Sequence, residues 1–249
     1  MAKSAAIPDL SGKTALVTGA SRGIGRALAL ALATAGAHVL ALARTVGGLE
    51  ELDDEIRKAG GGASLIPLDL ADPIAIERLG PAVVARFQKL DILIVNAAIL
   101  GELGPLADID DKTWRKVLDI NLTANWRLLK ALDPMLRASG AARVVFLTSH
   151  VGGEEPRAFW GGYAVSKAGL EMLARIYALE AKLAGVRVAI IDPGAMPTRM
   201  RAQAMPGERP ETLPDPAELA PLLYHAVSAE YDGLAERLVF REWRAAGNA

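Results

Sequence analysis

Six short apolar runs, separated by longer stretches with helical spacing, constrain this chain more than any other feature. They are TALVT (14–18), HVLALA (38–43), ASLIPL (63–68), LDILIVN (90–96), RVVFLTS (143–149) and RVAIID (187–192). Most are continuously apolar rather than alternating, as strands covered on both faces of a parallel sheet are. Helix-period segments lie at about 23–35, 48–59, 73–88, 111–138 and 162–184. This alternation predicts an α/β fold: a doubly wound parallel sheet with helices on both faces. No linker, low-complexity tract or short repeat divides the 249 residues, so a single domain over 1–249 is expected. The Pro-rich segment 205–219 is the one shift in composition and reads as a loop or lid.

Composition removes whole classes of chemistry. There is no cysteine, so disulfides, thiolate catalysis and cysteine-based zinc sites are excluded. His38, His150 and His225 stand far apart and offer no metal-ligand spacing, so no metal is expected. With 28 basic and 29 acidic residues, nothing points to nucleic acid or an anionic membrane surface. The first residues lack the apolar core of a secretory signal, and no long apolar stretch reads as a membrane span. A cytoplasmic location is the expectation.

TGASRGIGRA (18–27) joins the first strand to the first helix and carries Gly19, Gly23 and Gly25. A bare backbone at such a turn lets a ligand approach closely. The helix start behind it offers free N–H groups to an anion, here a pyrophosphate. The turn could also need glycine only for its backbone angles. Later strand ends also carry polar or special residues: Asp69, Asn96, Ser149 and the pair Pro193–Gly194. Ligands of open parallel sheets bind beyond these ends, and the set together favours one shared ligand.

YAVSK places Tyr163 and Lys167 four apart, on one face of a helix. An ammonium nearby favours tyrosinate and lowers the phenol pKa, which makes Tyr163 a candidate general acid or base. Ser149, closing the preceding strand, reaches the same cleft.

With these pieces in this order, the chain resembles the short-chain dehydrogenase/reductase family in its common single-domain form, over about residues 9–227. TGASRGIG resembles the family's cofactor turn, with Thr18, Gly19, Ser21, Arg22, Gly23, Ile24 and Gly25 in place. LDLAD carries Asp69 and Leu70, which the resemblance puts beside an adenine. VNAA carries Asn96, Ala97 and Ala98, INL carries Asn121, and TSHVGG carries Ser149. DPGAMPT supplies Pro193, Gly194, Met196 and Thr198 toward a nicotinamide. The resemblance implies a Rossmann-like fold and an NAD(P)-dependent oxidoreductase acting on a carbonyl or secondary alcohol. It implies that Ser149 holds the substrate oxygen and Tyr163 transfers its proton. Lys167 would bind the nicotinamide ribose and lower the Tyr163 pKa, while Asn121 bends its helix and holds a water leading to Lys167.

The chain departs from the family in three places. Ala98 replaces the glycine of the Asn-Ala-Gly motif. Ser149 and Tyr163 stand 14 apart, one residue more than usual, within GGEEPRAFWGG. The usual C-terminal strand ending in Asp-Gly-Gly is missing, and ERLVF (236–240) stands there instead. A homodimer through the helices at about 111–138 and 162–184 is expected, and a tetramer is left open.

At the end of the second strand, Ala43 stands where an acidic residue would hold the ribose of NAD, and Arg44 follows. Arg44 and Arg22 can grip a 2′-phosphate, so NADP(H) is expected over NAD(H). Leu100, Phe159, Trp160, Met196, Met200 and Met205 are candidates for an apolar substrate pocket under a lid at about 197–214. Glu154, Glu155 and Arg157 either add polar selectivity or are solvated. No long basic patch suggests an acyl-carrier-protein partner, although Arg115, Lys116, Arg127 and Lys130 could form one. A nucleotide-sensing protein on the same fold is the rival reading, although a sensor has no need of Asn121, Ser149, Tyr163 and Lys167 together. A sugar-nucleotide epimerase is disfavoured by the glycine spacing and the short C-terminal part.

Overall fold

The structure is a computed structural model that describes residues 7–153 and 155–247. Its strands are β1 (Thr14–Thr18), β2 (His38–Ala43), β3 (Gly62–Pro67), β4 (Ile92–Val95), β5 (Arg143–Leu147), β6 (Arg187–Asp192) and β7 (Leu234–Val239). They form one parallel sheet in the order β3-β2-β1-β4-β5-β6-β7. The helices are α1 (Gly23–Thr34), α2 (Val46–Lys58), α3 (Pro73–Val84), α4 (Asp111–Leu118), α5 (Ala124–Ser139), α6 (Gly161–Ala181), α7 (Arg199–Ala204), α8 (Ala220–Val227) and α9 (Phe240–Ala245).

Alternate strand residues feed two cores, as the pleat requires. Val17, Val39, Ile94 and Ile191 pack with Leu28 and Leu32 of α1, Leu52 of α2 and Leu222 of α8. Leu16, Leu40, Phe146 and Ile190 pack on the other face with Ile76 of α3, Leu132 of α5 and Leu170 of α6. Burial on both sides is why β4, and β5 after its leading Arg143, read as unbroken apolar runs. Helix starts carry local signals too: Asp72 accepts from the N–H groups of Ile74 and Ala75, with Pro73 in the first turn of α3. Among the described residues, no helix is long and apolar enough to cross a membrane.

Three expectations need correction. The C-terminal strand exists: β7 extends the sheet beside β6. Its sequence escapes the apolar-run criterion because it is an edge strand, only partly buried. The long helix expected at 111–138 is interrupted by a π-turn over Asp119–Thr123. The segment 197–214, expected to lack regular structure, contains α7, whose start is capped by the Thr198 hydroxyl accepting from Arg201 N–H.

Candidate active site

The strand order reverses between β1 and β4, and the cleft opens there, beyond the carboxyl ends of the strands. Thr18, last residue of β1, ties the two strands together. Its hydroxyl donates to the Ile94 carbonyl at 3.3 Å and accepts from the N–H groups of Asn96 and Ala97 at 3.0 and 3.1 Å. The Asn96 amide returns a bond to the Thr18 carbonyl at 2.9 Å.

The glycine turn lies on this support. Gly19 and Gly23 have φ of 68° and 54°, in the left-handed region. A Cβ on Gly25 would lie 2.3 Å from the Gly19 carbonyl oxygen, so only glycine lets helix α1 start this close to the turn. Arg22 caps α1 without a side-chain hydrogen bond, and its first turn holds no acidic residue. The leading N–H groups are therefore left for an anion. A bare cradle with an uncapped helix end fits the pyrophosphate of a dinucleotide.

The same cleft brings together Gly19, Ser21, Arg22, Gly23, Ile24, Gly25, Arg44, Asp69, Leu70, Asn96, Ala97, Ala98, Ser149, Tyr163, Lys167, Pro193, Gly194, Met196 and Thr198. Asn121 stands behind this wall, fully buried. At one end Ala43 closes β2, and the Arg44 guanidinium lies 3.6 Å from the Asp69 carboxylate. At the other end, Leu100, Trp160, Met196 and Met200 form apolar lining, and Trp160 meets the Tyr163 ring edge-on at 6.0 Å. Phe159 and Met205 do not contribute to it. Phe159 has a left-handed backbone (φ 73°) and faces solvent, while Met205 borders an adjoining depression on the far side of α7 residues Arg199 and Arg201. Glu155 and Arg157 are exposed, and Glu154 lies outside the described residues.

The π-turn carries Asn121 inward. Its Oδ1 accepts from Ile99 N–H at 2.8 Å, and its amide donates to the Ile99 carbonyl at 2.9 Å and the Ser166 hydroxyl at 3.0 Å. The Ser166 hydroxyl donates to the Tyr163 carbonyl at 2.7 Å, linking the π-turn to the first turn of α6. Such π-turns recur at functional sites because they break helical bonding locally.

Lys167 and Tyr163 are both buried. Burial pushes the Lys167 ammonium down to about 8, against the pull of Glu171 and Asp192. Burial also pushes the Tyr163 phenol up to about 12, with Ser149 opposing and Asp192 adding. The sequence predicts the reverse direction for Tyr163. Desolvation wins because Lys167 Nζ directs a hydrogen bond to the Leu147 carbonyl at 2.7 Å and lies 5.9 Å from the phenol ring centroid.

Sequence reasoning passed over Ser166, Asn125, Thr148, Glu171, Asp192 and Arg237. Ser166 carried a readable signal, three residues from Tyr163 on one helix. The others meet only in the folded chain. The Asn125 amide donates to the Asn121 carbonyl at 2.7 Å, and the Thr148 hydroxyl donates to Glu171 at 2.6 Å.

Residues 13–209 match the family model for short chain dehydrogenase. The uncharacterized oxidoreductase YciK of Escherichia coli K12 is 36% identical over 216 residues, 86% of this chain and 85% of that protein. The 3-oxoacyl-[acyl-carrier-protein] reductase FabG of the same organism is 35% identical over 77% of each chain. A structure solved as a short chain dehydrogenase of Escherichia coli CFT073 complexed with NADPH superposes with a TM-score of 0.90 at 33% identity, covering 94% of this chain and 99% of that one. The fold, the cleft and these likenesses agree: the chain belongs to the short-chain dehydrogenase/reductase family and is an NAD(P)-dependent oxidoreductase.

Proposed function

We propose that the protein reduces the carbonyl of a largely apolar substrate, or oxidises the corresponding secondary alcohol, with NADP(H) as the preferred cofactor. The observation that carries this reading is the meeting of Ser149, Tyr163 and Lys167 on one cleft whose far end is a glycine cradle. The bound cofactor supplies or accepts the hydride. Ser149 holds the substrate oxygen. Tyr163 gives its proton to that oxygen in reduction and takes it back in oxidation. Lys167 holds the nicotinamide ribose and stabilises the tyrosinate as it forms. Asn121 fixes the first turn of α6 through Ser166, so that Tyr163 keeps its place.

Ala43 and Arg44 at the end of β2 support NADP(H), and so does the NADPH complex of the related structure. Leu100, Trp160, Met196 and Met200 favour an apolar substrate body. The whole of 1–249 acts as one catalytic domain in this reading, with 197–214 as a lid. NADPH and a panel of ketones test it, with Tyr163→Phe as control. We expect turnover by the parent and a loss of at least about 10²-fold in the variant with NADPH still bound. Near-normal turnover by Tyr163→Phe overturns the assignment.

A further inference from the structure

We propose that Arg237 is a positioning residue for the reaction: from β7 it clamps the two strand ends that carry the active site and neutralises the carboxylates beneath Lys167. The inference rests on the roles just assigned to Tyr163 and Lys167. Arg237 Nη2 donates to Asp192 Oδ2 at 2.9 Å, and Nη1 lies 3.9 Å from Glu171 Oε1. The other Asp192 oxygen accepts from Gly194 N–H at 3.0 Å, which pins the Pro193–Gly194 turn of the cleft. Glu171 Oε1 accepts from the Thr148 hydroxyl, next in sequence to Ser149, and Oε2 pairs with Arg175. One guanidinium thus backs the end of β6 and, through Glu171, the end of β5.

The placement is built rather than incidental. Parallel pairing sets Arg237 beside Ile190, so it shares a face with Asp192 and with α6. That register follows a bulge, where Ala235 adopts φ of 59°. Without the extra residue Arg237 would point to the opposite face. A Cβ on Gly153 would fall inside the guanidinium, so the loop after Ser149 also rests on it. Arg237 Nε is buried without a partner among the described residues. A buried ion cluster with an orphan N–H is a poor device for stability alone. Among the described residues, the charged groups packed here are Lys167, Glu171 and Arg175 from α6, Asp192 from β6 and Arg237 from β7, with the Tyr163 phenol beside them.

The test reads NADPH affinity against pH by nicotinamide fluorescence, with thermal melting alongside. In the parent, affinity should weaken as Lys167, its pKa lowered to about 8, loses its proton. In Arg237→Met the bare carboxylates hold that proton longer, so the weakening moves up by about one pH unit or more. Adding Asp192→Asn and Glu171→Gln to Arg237→Met returns it toward the parent value. Arg237→Lys keeps the charge but not the fork: its pH midpoint stays, and ketone turnover falls about tenfold or more, within the cost of small misplacements. An unmoved midpoint in Arg237→Met, a Lys variant with parental turnover, or a loss in melting temperature as the only change in both overturns the proposal. If Arg237→Met does not fold, Arg237→Lys decides. Tyr163→Phe run in parallel separates the two ideas: an active Tyr163→Phe sinks the catalytic reading, whereas an inactive one beside indifferent Arg237 variants sinks only this inference.

Discussion

Lys167 Nζ donates to the Leu147 carbonyl at 2.7 Å, so the ammonium is anchored to the strand that ends beside Ser149. Its pKa is depressed to about 8 by burial, so the charged form is disfavoured in the folded chain. The unfolded chain binds the extra proton between that value and the ordinary 10.5. The charged lysine therefore costs stability throughout the range below about 8, and the cost fades as pH rises toward 10.5. We expect Lys167→Met to raise the melting temperature of the protein alone at pH 7, with the gain shrinking at higher pH. A Met variant that melts below the parent at neutral pH contradicts this. For NADPH-dependent reduction, kcat/KM for the cofactor should fall above about pH 8, because Tyr163 keeps its proton up to about 12 while Lys167 does not.

The segment 197–214 is held by an Arg201–Glu208 fork, with bonds of 2.5 and 2.7 Å, behind a helix of one and a half turns. Arg201 and Met200 also line the cleft. Glu208→Gln should loosen this fork and speed hydrogen exchange over 197–214 in the protein alone. NADPH with substrate should slow exchange there in the parent. Equal protection with and without ligands argues against a lid.

How much of this was readable depends on where each partner lies in the chain. β1, β2 and β6 are legible to the residue, because a strand buried on both faces has a continuous apolar interior with polar residues only at its ends. β7 is not, because an edge strand alternates and buries little. The glycine turn is legible because its chemistry is local: three glycines, a strand before and a helix after. Tyr163 and Lys167 are legible as a pair because four residues make one helical turn. The direction of the Tyr163 shift is not, since burial depends on the walls that α4, α6 and the loops build around it. Arg237 is beyond local reading altogether: its Asp192 partner lies 45 residues away, and a bulge decides which face it takes.

The face of α6 turned away from the sheet is apolar. Val165, Met172, Ile176 and Leu179 follow one another at helical spacing and all are exposed, as are Leu183 beyond them and Trp126 on α5. Leu179 is 69% and Leu183 100% exposed, an unusual display for solvent. We expect a second copy of the chain, meeting the same stripe on its own α6, to cover this surface. Light scattering should give twice the 26.2 kDa chain mass. Met172→Glu with Leu179→Glu should return the mass to one chain and lower the melting temperature. A parent that is monomeric at micromolar concentration rules this interface out.

Cofactor preference turns on the end of β2. Ala43 is buried there and presents only a methyl group, so the end of β2 sets no carboxylate of its own against a 2′-phosphate. Arg44 follows, mostly exposed, and its one ion contact among the described residues is the 3.6 Å approach to Asp69. Exposed pairs of that kind are weak, so the guanidinium is free to swing to a phosphate. Arg22 is exposed on the same cleft and reaches from the glycine turn. A charge-assisted bond to phosphate contributes about 1.5–3 kcal/mol, so NADPH should bind about tenfold to a hundredfold tighter than NADH at one fixed salt concentration. Arg44→Ala should remove most of that difference by weakening NADPH and leaving NADH nearly unchanged. Ala43→Asp should invert it, since a carboxylate accepts the ribose hydroxyls of NADH and repels the phosphate. Raising the salt should narrow the gap more in the parent than in Arg44→Ala, which keeps only the Arg22 charge contact to be screened. Tighter NADH binding by the parent, or an Ala43→Asp variant that still prefers NADPH, overturns the assignment.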